Sequence, residues 1–325
     1  MIPQCPSSST PLNDTTCTCN SSLVANRDQT ACTTTTATGY SGKNTGGSCS
    51  LSQGNPINVG TGLKYQVEVD CRAPSGLEFK RTYNSQAAYE TPAQSFFGQN
   101  SWRLGWNRTI QGTPAPPPSY PLPANSTVYR LGLQPNWIPD NTAITAYVTR
   151  DDGKTYTYTR SGDTWQSDAD VTGQLTSQFD AAGKLTGWTY TTDDHKIETY
   201  NASGQLTSTT NRIGQTTTLN YSDGSAVTPN GGYVLDAAGV PTTAALSAGL
   251  LIRVTDAYAR SLSLGYDSLS RIVKMTDPAG GVYGYTYDAN SNLSLVTYPD
   301  LTTKTYLYEN PTYPHALTGI LDENA

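Results

Sequence analysis

Charge is scarce in this chain. Of its 325 residues only 14% are Asp, Glu, Lys or Arg, against about 25% in an average soluble domain, and apolar residues do not fill the gap at 36%. No run of Lys or Arg occurs and the net charge is −6. Nucleic-acid binding needs a basic stripe to neutralise phosphates, so nucleic acid is not an expected partner. Nor does any stretch approach the ~18 apolar residues of a transmembrane helix, so no segment is expected to span a membrane. Met1 to Thr10 lack both a basic n-region and an apolar h-region, so a secretory signal is either absent or already removed.

Histidine is nearly absent, with two residues, His195 and His315. Acid–base constellations are correspondingly few, and there is no Gly-x-Ser-x-Gly elbow, P-loop or HExxH. Asp193-Asp194-His195 reads as a solvated hairpin turn rather than a triad fragment or a metal site. Carboxylate pairs such as Asp151-Asp152 precede Gly153 as turn residues. The tryptophans, Trp102, Trp106, Trp137, Trp165 and Trp188, read as core or inter-repeat packing in preference to a sugar-stacking platform. No catalytic residue, cofactor or metal site is expected.

Cysteine is confined to the start of the chain: Cys5, Cys17, Cys19, Cys32, Cys49 and Cys71, with none beyond. An even number in a Thr/Ser-rich, apolar-poor segment points to disulfide stapling, because such a segment buries too little surface to order itself. About 15 connectivities are open. Zinc is the rival, but no His precedes His195, no CxxC exists, and the closest pair is Cys17-Thr18-Cys19. Disulfides imply an oxidising destination, so the chain is expected to be secreted or at the cell surface.

What is plentiful is Ser, Thr, Asn, Gly and Tyr, with 22 tyrosines to 4 phenylalanines. Thr and Tyr suit a half-buried pleated surface, and Gly, Asn and Asp suit the turns between strands. The expected fold class is therefore all-β. Residues 1–50 read as a mostly irregular, cysteine-rich lead segment; their Asn-x-Ser/Thr matches are those chance supplies in such a composition. Residues 51–150 read as a β-rich leader domain. Leu63–Asp70 alternates around Tyr65, Val67 and Val69, and Leu77–Tyr83 alternates again after the turn signal Pro74-Ser75-Gly76. The proline-rich stretch from Pro114 to Pro123 must be loop, since proline cannot donate to a ladder.

From residue 151 an internal repeat emerges. Tyr158, Phe179, Tyr200 and Tyr221 are spaced by 21 residues, and so are Tyr266, Tyr287 and Tyr308. Each unit has one grammar: a short alternating strand ending on the aromatic, a turn such as Phe179-Asp180-Ala181-Ala182-Gly183 or Tyr200-Asn201-Ala202-Ser203-Gly204, and a Leu or Ile opening the next strand. Asp180, Asn201, Asp267 and Asp288 are placed to bond turn N–H groups, and Gly183 and Gly204 to supply positive φ. A second turn falls half a period on, as at Asn211–Gly214 and Asp277–Gly280, which predicts one β-hairpin per repeat. The longer step from Tyr221 to Tyr266 reads as a distorted repeat over 224–250 with a small insertion. A lone hairpin is marginal in water, so the units must pair into a long antiparallel sheet, curled or part of a β-cage. Leu317–Ala325 looks like a repeat half-written, and the natural chain is expected to continue.

The Tyr-Asp (or Phe-Asp, Tyr-Asn) followed by x-x-Gly-x-Leu at this period resembles the YD repeat of Rhs proteins, insecticidal toxin-complex shells and teneurins. Gly54-Asn55-Pro56-Ile57-Asn58-Val59-Gly60-Thr61-Gly62, Phe79–Ser85 and Leu104-Gly105-Trp106 resemble the domain that precedes the repeats in bacterial Rhs proteins, and His315–Ile320 resembles a further Rhs-type stretch. The resemblance covers about residues 54–325. It implies a hollow β-cage that houses a toxic C-terminal domain and supports its delivery in bacterial members, and a cell-surface adhesion protein in animal ones. Asp277-Pro278-Ala279-Gly280-Gly281 is similar to the family's Asp-Pro-x-Gly-Leu cleavage motif, but Gly281 replaces the Leu and the segment falls on an ordinary repeat turn. The expected function is a non-catalytic shell section, partnered by further repeats and a C-terminal toxin domain of its own polypeptide. The alternative is an adhesion module that binds a cell-surface glycan or protein through exposed aromatics.

Overall fold

The structure, a computed structural model, describes residues 63–73, 76–85, 96–98, 102–113 and 145–322, together with short strands in the preceding chain. The chain divides into two compact units, Met1–Thr45 and Gly46–Ala325. In the first, β1 (Ser9–Pro11) pairs with β2 (Cys17–Cys19), and β3 (Leu23–Ala25) with β4 (Cys32–Thr34). Side chains there lie outside the described residues, among them Cys5, Cys17, Cys19 and Cys32 of the candidate staple, and so does Cys49 at the start of the second unit. Cys71 is described and is a free thiol. It stands half-buried on a strand of the second unit, where it hydrogen-bonds Tyr283, so the expected stapling of Cys71 is not what the structure shows.

All pairings among the described strands are antiparallel, and no helix occurs among them, in keeping with the all-β expectation. The leader forms a five-stranded sheet from β5 (Ser52–Gln53), β6 (Ile57–Asn58), β7 (Leu63–Arg72), β8 (Glu78–Asn84) and β9 (Trp102–Leu104). The alternation of β7 is real but its faces are reversed. Val67 and Val69 are 41% and 39% exposed, while Glu68 and Asp70 are buried. The cause is tertiary: partners for those carboxylates wait on the inner side, Arg81 for Asp70 and Lys304 for Glu68. Leu77, just before β8, and Phe79 and Tyr83 on it are buried as expected, but Thr82 and Asn84 are buried as well, so the strand alternates only as far as Arg81.

A second sheet joins β10 (Thr109–Thr113) and β11 (Thr145–Thr149) to β12 (Thr155–Ser161) and β13 (Thr164–Gln166). Tyr158 sits inside β12 and not at its end. The strand continues to Ser161 and turns at Gly162, so no Tyr-Asp turn follows this tyrosine. Its partners are leader strands, since Ala146 on β11 lies opposite it.

The repeats build a twelve-stranded sheet. Its strands run in chain order: β14 (Gln174–Phe179), β15 (Leu185–Thr191), β16 (Ile197–Asn201), β17 (Leu206–Thr210) and β18 (Thr216–Tyr221), then β21 (Leu251–Thr255), β22 (Ser261–Tyr266), β23 (Ile272–Thr276), β24 (Val282–Tyr287), β25 (Leu293–Thr297), β26 (Thr303–Leu307) and β27 (Gly319–Leu321). β18 pairs directly with β21. Residues 222–250 are therefore an excursion from the sheet and not a distorted repeat within it. They carry a hairpin of their own, β19 (Tyr233–Leu235) with β20 (Pro241–Ala245). The neck of the excursion is pinned by Ser222, whose hydroxyl donates to the Ser247 carbonyl and accepts the Leu250 N–H.

The turns follow one design. Oδ1 of Asp180, Asp267 and Asp288 accepts the backbone N–H groups two and four residues on, and Asn211, Asp256 and Asp277 repeat this at the second turn. The fourth turn residue is left-handed. Gly183, Gly204, Gly214 and Gly280 fill it at no steric cost, but Ala259, Ser270, Ser291 and Leu301 also adopt φ between 60° and 69° there. His195 takes the same place with φ 60° in an exposed turn. An L-residue in this conformation costs about 1–2 kcal/mol.

Replacing Leu301 by Gly is expected to stabilise the protein by up to about 1 kcal/mol, part of the gain being offset by unfolded-chain entropy. Gly204→Ala is expected to do the reverse, because its Cβ would meet the Ile110 carbonyl oxygen at 1.7 Å. Thermal unfolding of both variants reads the two signs.

Candidate functional site

The expected signature residues come together as a buried seam. Tyr158, Tyr200 and Tyr266 are at most 1% exposed, and Phe179, Tyr221, Tyr287 and Tyr308 pack against the same core. Each aromatic from Phe179 to Tyr287 also sits at a β-bulge. Phe179 faces Leu185, Tyr200 faces Leu206, Tyr221 faces Leu251, Tyr266 faces Ile272 and Tyr287 faces Leu293, with the register slipping by one residue each time. A bulge interrupts the ladder and leaves backbone groups in need of other partners.

The next repeat supplies the partner. Tyr221 Oη donates to the Leu206 carbonyl at 2.7 Å, Tyr266 to Leu251 at 2.6 Å, Tyr287 to Ile272 at 2.6 Å and Tyr308 to Leu293 at 3.0 Å. Donor and acceptor are 15 residues apart in all four, and each acceptor is the residue facing the previous signature aromatic. Burial raises the pKa of these phenols, which keeps them protonated donors. Tyr158 departs from the rule by reaching forward to the Gly173 carbonyl, and Tyr200 by turning to Glu198.

Two charged nodes fasten the leader to this seam. In the first, Arg81 of β8 is fully buried. Its Nε and Nη2 donate to the two Asp70 carboxylate oxygens at 2.6 and 2.7 Å, and Nη2 also donates to Tyr306 Oη at 2.9 Å. Tyr285 Oη donates to Asp70, and Asp70 is the extra residue of a bulge in β7. The guanidinium lies over the rings of Trp102, Tyr306, Tyr285 and Phe97 at 4.9 to 5.8 Å. Trp102 packs edge-on to Tyr83 and Tyr306, and its indole N–H donates to Tyr308 Oη. One leader arginine thus meets aromatics of two successive repeats.

The second node centres on Glu198 of β16, which is fully buried. It accepts from Arg150 twice, at 2.5 and 2.8 Å, from Arg108 at 2.5 Å and from Tyr200 Oη at 2.7 Å. Burial alone would raise the pKa of Glu198; the two guanidiniums outweigh it and hold the carboxyl below its usual 4.5. Asp151, beside Lys80 and Arg108, is lowered on the same balance. Backbone contacts complete the dock. Ile110 N–H donates to the Gly204 carbonyl and Ile272 N–H to the Phe96 carbonyl, at 3.0 and 2.7 Å.

The sequence reading missed both nodes. For Glu198 a signal existed: it stands two residues before Tyr200, where the aligned repeats place Leu219, Leu264, Tyr285 and Tyr306, all buried. A carboxylate in that register had to be inside. For Arg81 the signal was its place between Phe79 and Tyr83 on an alternating strand. Of the tryptophans, Trp102, Trp165 and Trp188 are core, while Trp137 lies outside the described residues. Among the described residues no three His, Cys, Asp or Glu side chains are grouped to hold a metal ion, and no helix is long and apolar enough to cross a membrane.

Glu198→Gln is expected to cost about 3–5 kcal/mol at neutral pH, because two guanidiniums lose their counter-charge. A depressed carboxylate stabilises the fold above its unfolded pKa and loses that contribution as pH falls through the folded value. The wild-type melting temperature should therefore drop below about pH 4.5, with a shallower acid limb in the variant. Tyr266→Phe, which strands the Leu251 carbonyl, should cost about 1–3 kcal/mol in denaturant titrations.

Comparison with known proteins agrees with this geometry. The family described as RHS Repeat matches residues 247–282 and 266–303, and the Domain of unknown function DUF6531 matches residues 54–115. No curated protein matches the chain significantly. Among solved structures, the N-terminal domain of effector protein SpvB from Salmonella typhimurium strain LT2 aligns at 10% identity over 78% of this chain and 95% of that one, with a TM-score of 0.34. The TcdB2-TccC3-Cdc42 structure aligns at 16% identity and a TM-score of 0.23 over 76% of this chain. A Photorhabdus luminescens Tc holotoxin pore aligns at 15% identity and the same score over 78%. The chain spans only 12% and 11% of those two toxin chains, and likenesses this distant carry no function across. The repeat match falls on the units whose Tyr-Asp turns and tyrosine-to-carbonyl links are described above, so the chain carries Rhs (YD) repeats there, with a region matching DUF6531 upstream of them.

Proposed function

We propose that this chain is a non-catalytic structural section of a secreted Rhs-type protein, a stretch of wall that encloses or supports delivery of a C-terminal toxin domain carried further along the same polypeptide. The observation behind this reading is how the signature residues are used. Their rings fill the core and, in four repeats, their hydroxyls are spent on the backbone of the preceding repeat. Such residues serve a continuous wall rather than a binding face. Adhesion through a tyrosine face would need those rings on the surface, and Tyr158, Tyr200 and Tyr266 are buried. The absence of a catalytic role belongs to the same proposal. The buried carboxylates Asp70, Glu198 and Asp151 are each held by a cation, an arrangement suited to fastening.

The test is the natural polypeptide. Its reading frame should continue past Ala325 with further 21-residue units and then an unrelated domain, and that domain should resist limited proteolysis in the purified protein. A frame that ends without further repeats, or leads to a wall anchor, would overturn the container reading in favour of adhesion. Reproducible turnover abolished by one substitution would end the non-catalytic part.

A further inference from the structure

Residues 222–250 leave the repeat sheet and return without adding a strand to it. Their hairpin comes back onto the outer face of the sheet. A Cβ on Gly265 of β22 would meet Leu235 Cδ1 at 2.5 Å, so the Leu235 side chain already occupies that place. Between the hairpin turn and β24 this docking leaves a groove of about 570 Å³, within the roughly 300–1,000 Å³ of small-molecule sites. Leu235, Ala237 and Ala238 of the hairpin line one side of it. Val282, Gly284 and Thr286 of β24 line the floor, facing outward between the buried Tyr283 and Tyr285.

Gly284 is the residue that the local structure does not explain. It stands mid-strand with ordinary strand backbone, ahead of the bulge at Thr286 and Tyr287. Glycine there loses conformational entropy on folding and offers no side chain to pack. Other strand glycines are required by a neighbour. A Cβ on Gly187 would meet the Tyr200 carbonyl oxygen at 2.5 Å, and one on Gly319 would meet Leu307 Cδ1 at 3.1 Å. At Gly284 the nearest atom would be Thr297 Cβ at 3.7 Å, an ordinary contact. A bare position of this kind inside a strand marks the close approach of another body.

Beside it stands an uncommitted charge. Lys274 of β23 is the cross-strand partner of Gly284, and among the described residues it makes no ion pair or hydrogen bond. The other charges of the groove are engaged locally. Arg271 pairs with Asp267 and lies over the Tyr287 ring at 4.3 Å. Asp236 Oδ1 accepts two N–H groups of its own turn.

We propose that this groove binds a medium-chain fatty acid, with the carboxylate on Lys274 and the alkyl chain over Gly284. One flexible ammonium suits a monoanion. A phosphate calls for a fork of donors, and the groove's guanidinium is held by Asp267. An unbranched chain is thin enough to lie on a bare strand, and burying its methylenes against valine, leucine and alanine supplies affinity. A peptide suits the place less, because strand addition needs an open edge and β24 is paired on both sides. The groove lies on the face away from the tyrosine seam and is independent of the shell reading.

The experiment is calorimetric titration of the full chain with decanoate and dodecanoate below their micelle concentrations, with acetate, decanol and decyltrimethylammonium as comparators. At least one of the acids should bind saturably with a Kd of about 0.1 mM or tighter. Each comparator should bind at least about tenfold more weakly. Lys274→Gln should weaken the acid about tenfold. Gly284→Val, which fills the floor, should abolish binding while the melting temperature holds or rises, since a β-branched residue suits a strand. Failure of both acids to bind, equal binding of any comparator, or full affinity in either variant would overturn the proposal. The Lys274 variant, altered on the outer face, decides it even if Gly284→Val does not fold.

Discussion

Each repeat makes a defect that its successor repairs. The bulge opposite a signature aromatic takes the facing Leu or Ile out of the regular ladder, and a carbonyl left unsatisfied in the core would cost about 1–3 kcal/mol. The tyrosine of the next unit closes the account with its hydroxyl at 2.6 to 3.0 Å. This explains why tyrosine and not phenylalanine dominates a position whose ring is buried. It also fixes the period, since a donor 15 residues beyond its acceptor reaches it only if the hairpin between them keeps its length. Where the chain makes an excursion, between Tyr221 and Leu251, the extra residues are looped out and the link from Tyr266 to Leu251 is preserved.

The leader is fastened by the same economy of polar groups. A chain with 14% charged residues places some of those few in its core, as Arg81 with Asp70 and as Glu198 with Arg108 and Arg150. Burying a charge is tolerable only when it is paired and hydrogen-bonded, and here each buried carboxylate finds cations on a different element. Such nodes are costly to break, because removing one partner leaves an uncompensated charge in the core. A leader sheet shifted by one residue along the repeats would strand Arg81 among aromatics without Asp70, and Glu198 without its guanidiniums.

The fold was largely legible because its rules are local. The 21-residue spacing, the Asp or Asn that bonds its own turn and the alternating strands need only a few neighbours to act, so hairpin repeats and their antiparallel sheet could be read from residues 179–308. Legibility failed where a distant residue decided the outcome. Val67 and Val69 read as the inner face of β7, but Glu68 meets Lys304 of β26, 236 residues away, and Asp70 meets Arg81 on the neighbouring strand β8, 11 residues away. Tyr158 matched the spacing yet belongs to a sheet with leader strands, because β11 pairs with β12 ahead of the first true repeat. The excursion at 222–250 fills the place where the spacing of the aromatics leaves room for one more repeat, and only the pairing of β18 with β21 shows that it lies outside the sheet.

By itself, then, the sequence determined the all-β class, the hairpin unit and the residues that mark it, since turn chemistry and strand alternation act over a few positions of chain. The tertiary structure alone decided which face of β7 is buried, where the charges are matched, which carbonyl each tyrosine serves, and that Leu235 and Gly284, 49 residues apart in the chain, line one groove. The physical reason is range. Backbone geometry is settled between neighbours, whereas a buried charge or an unpaired donor is settled by whichever group the rest of the fold brings to it.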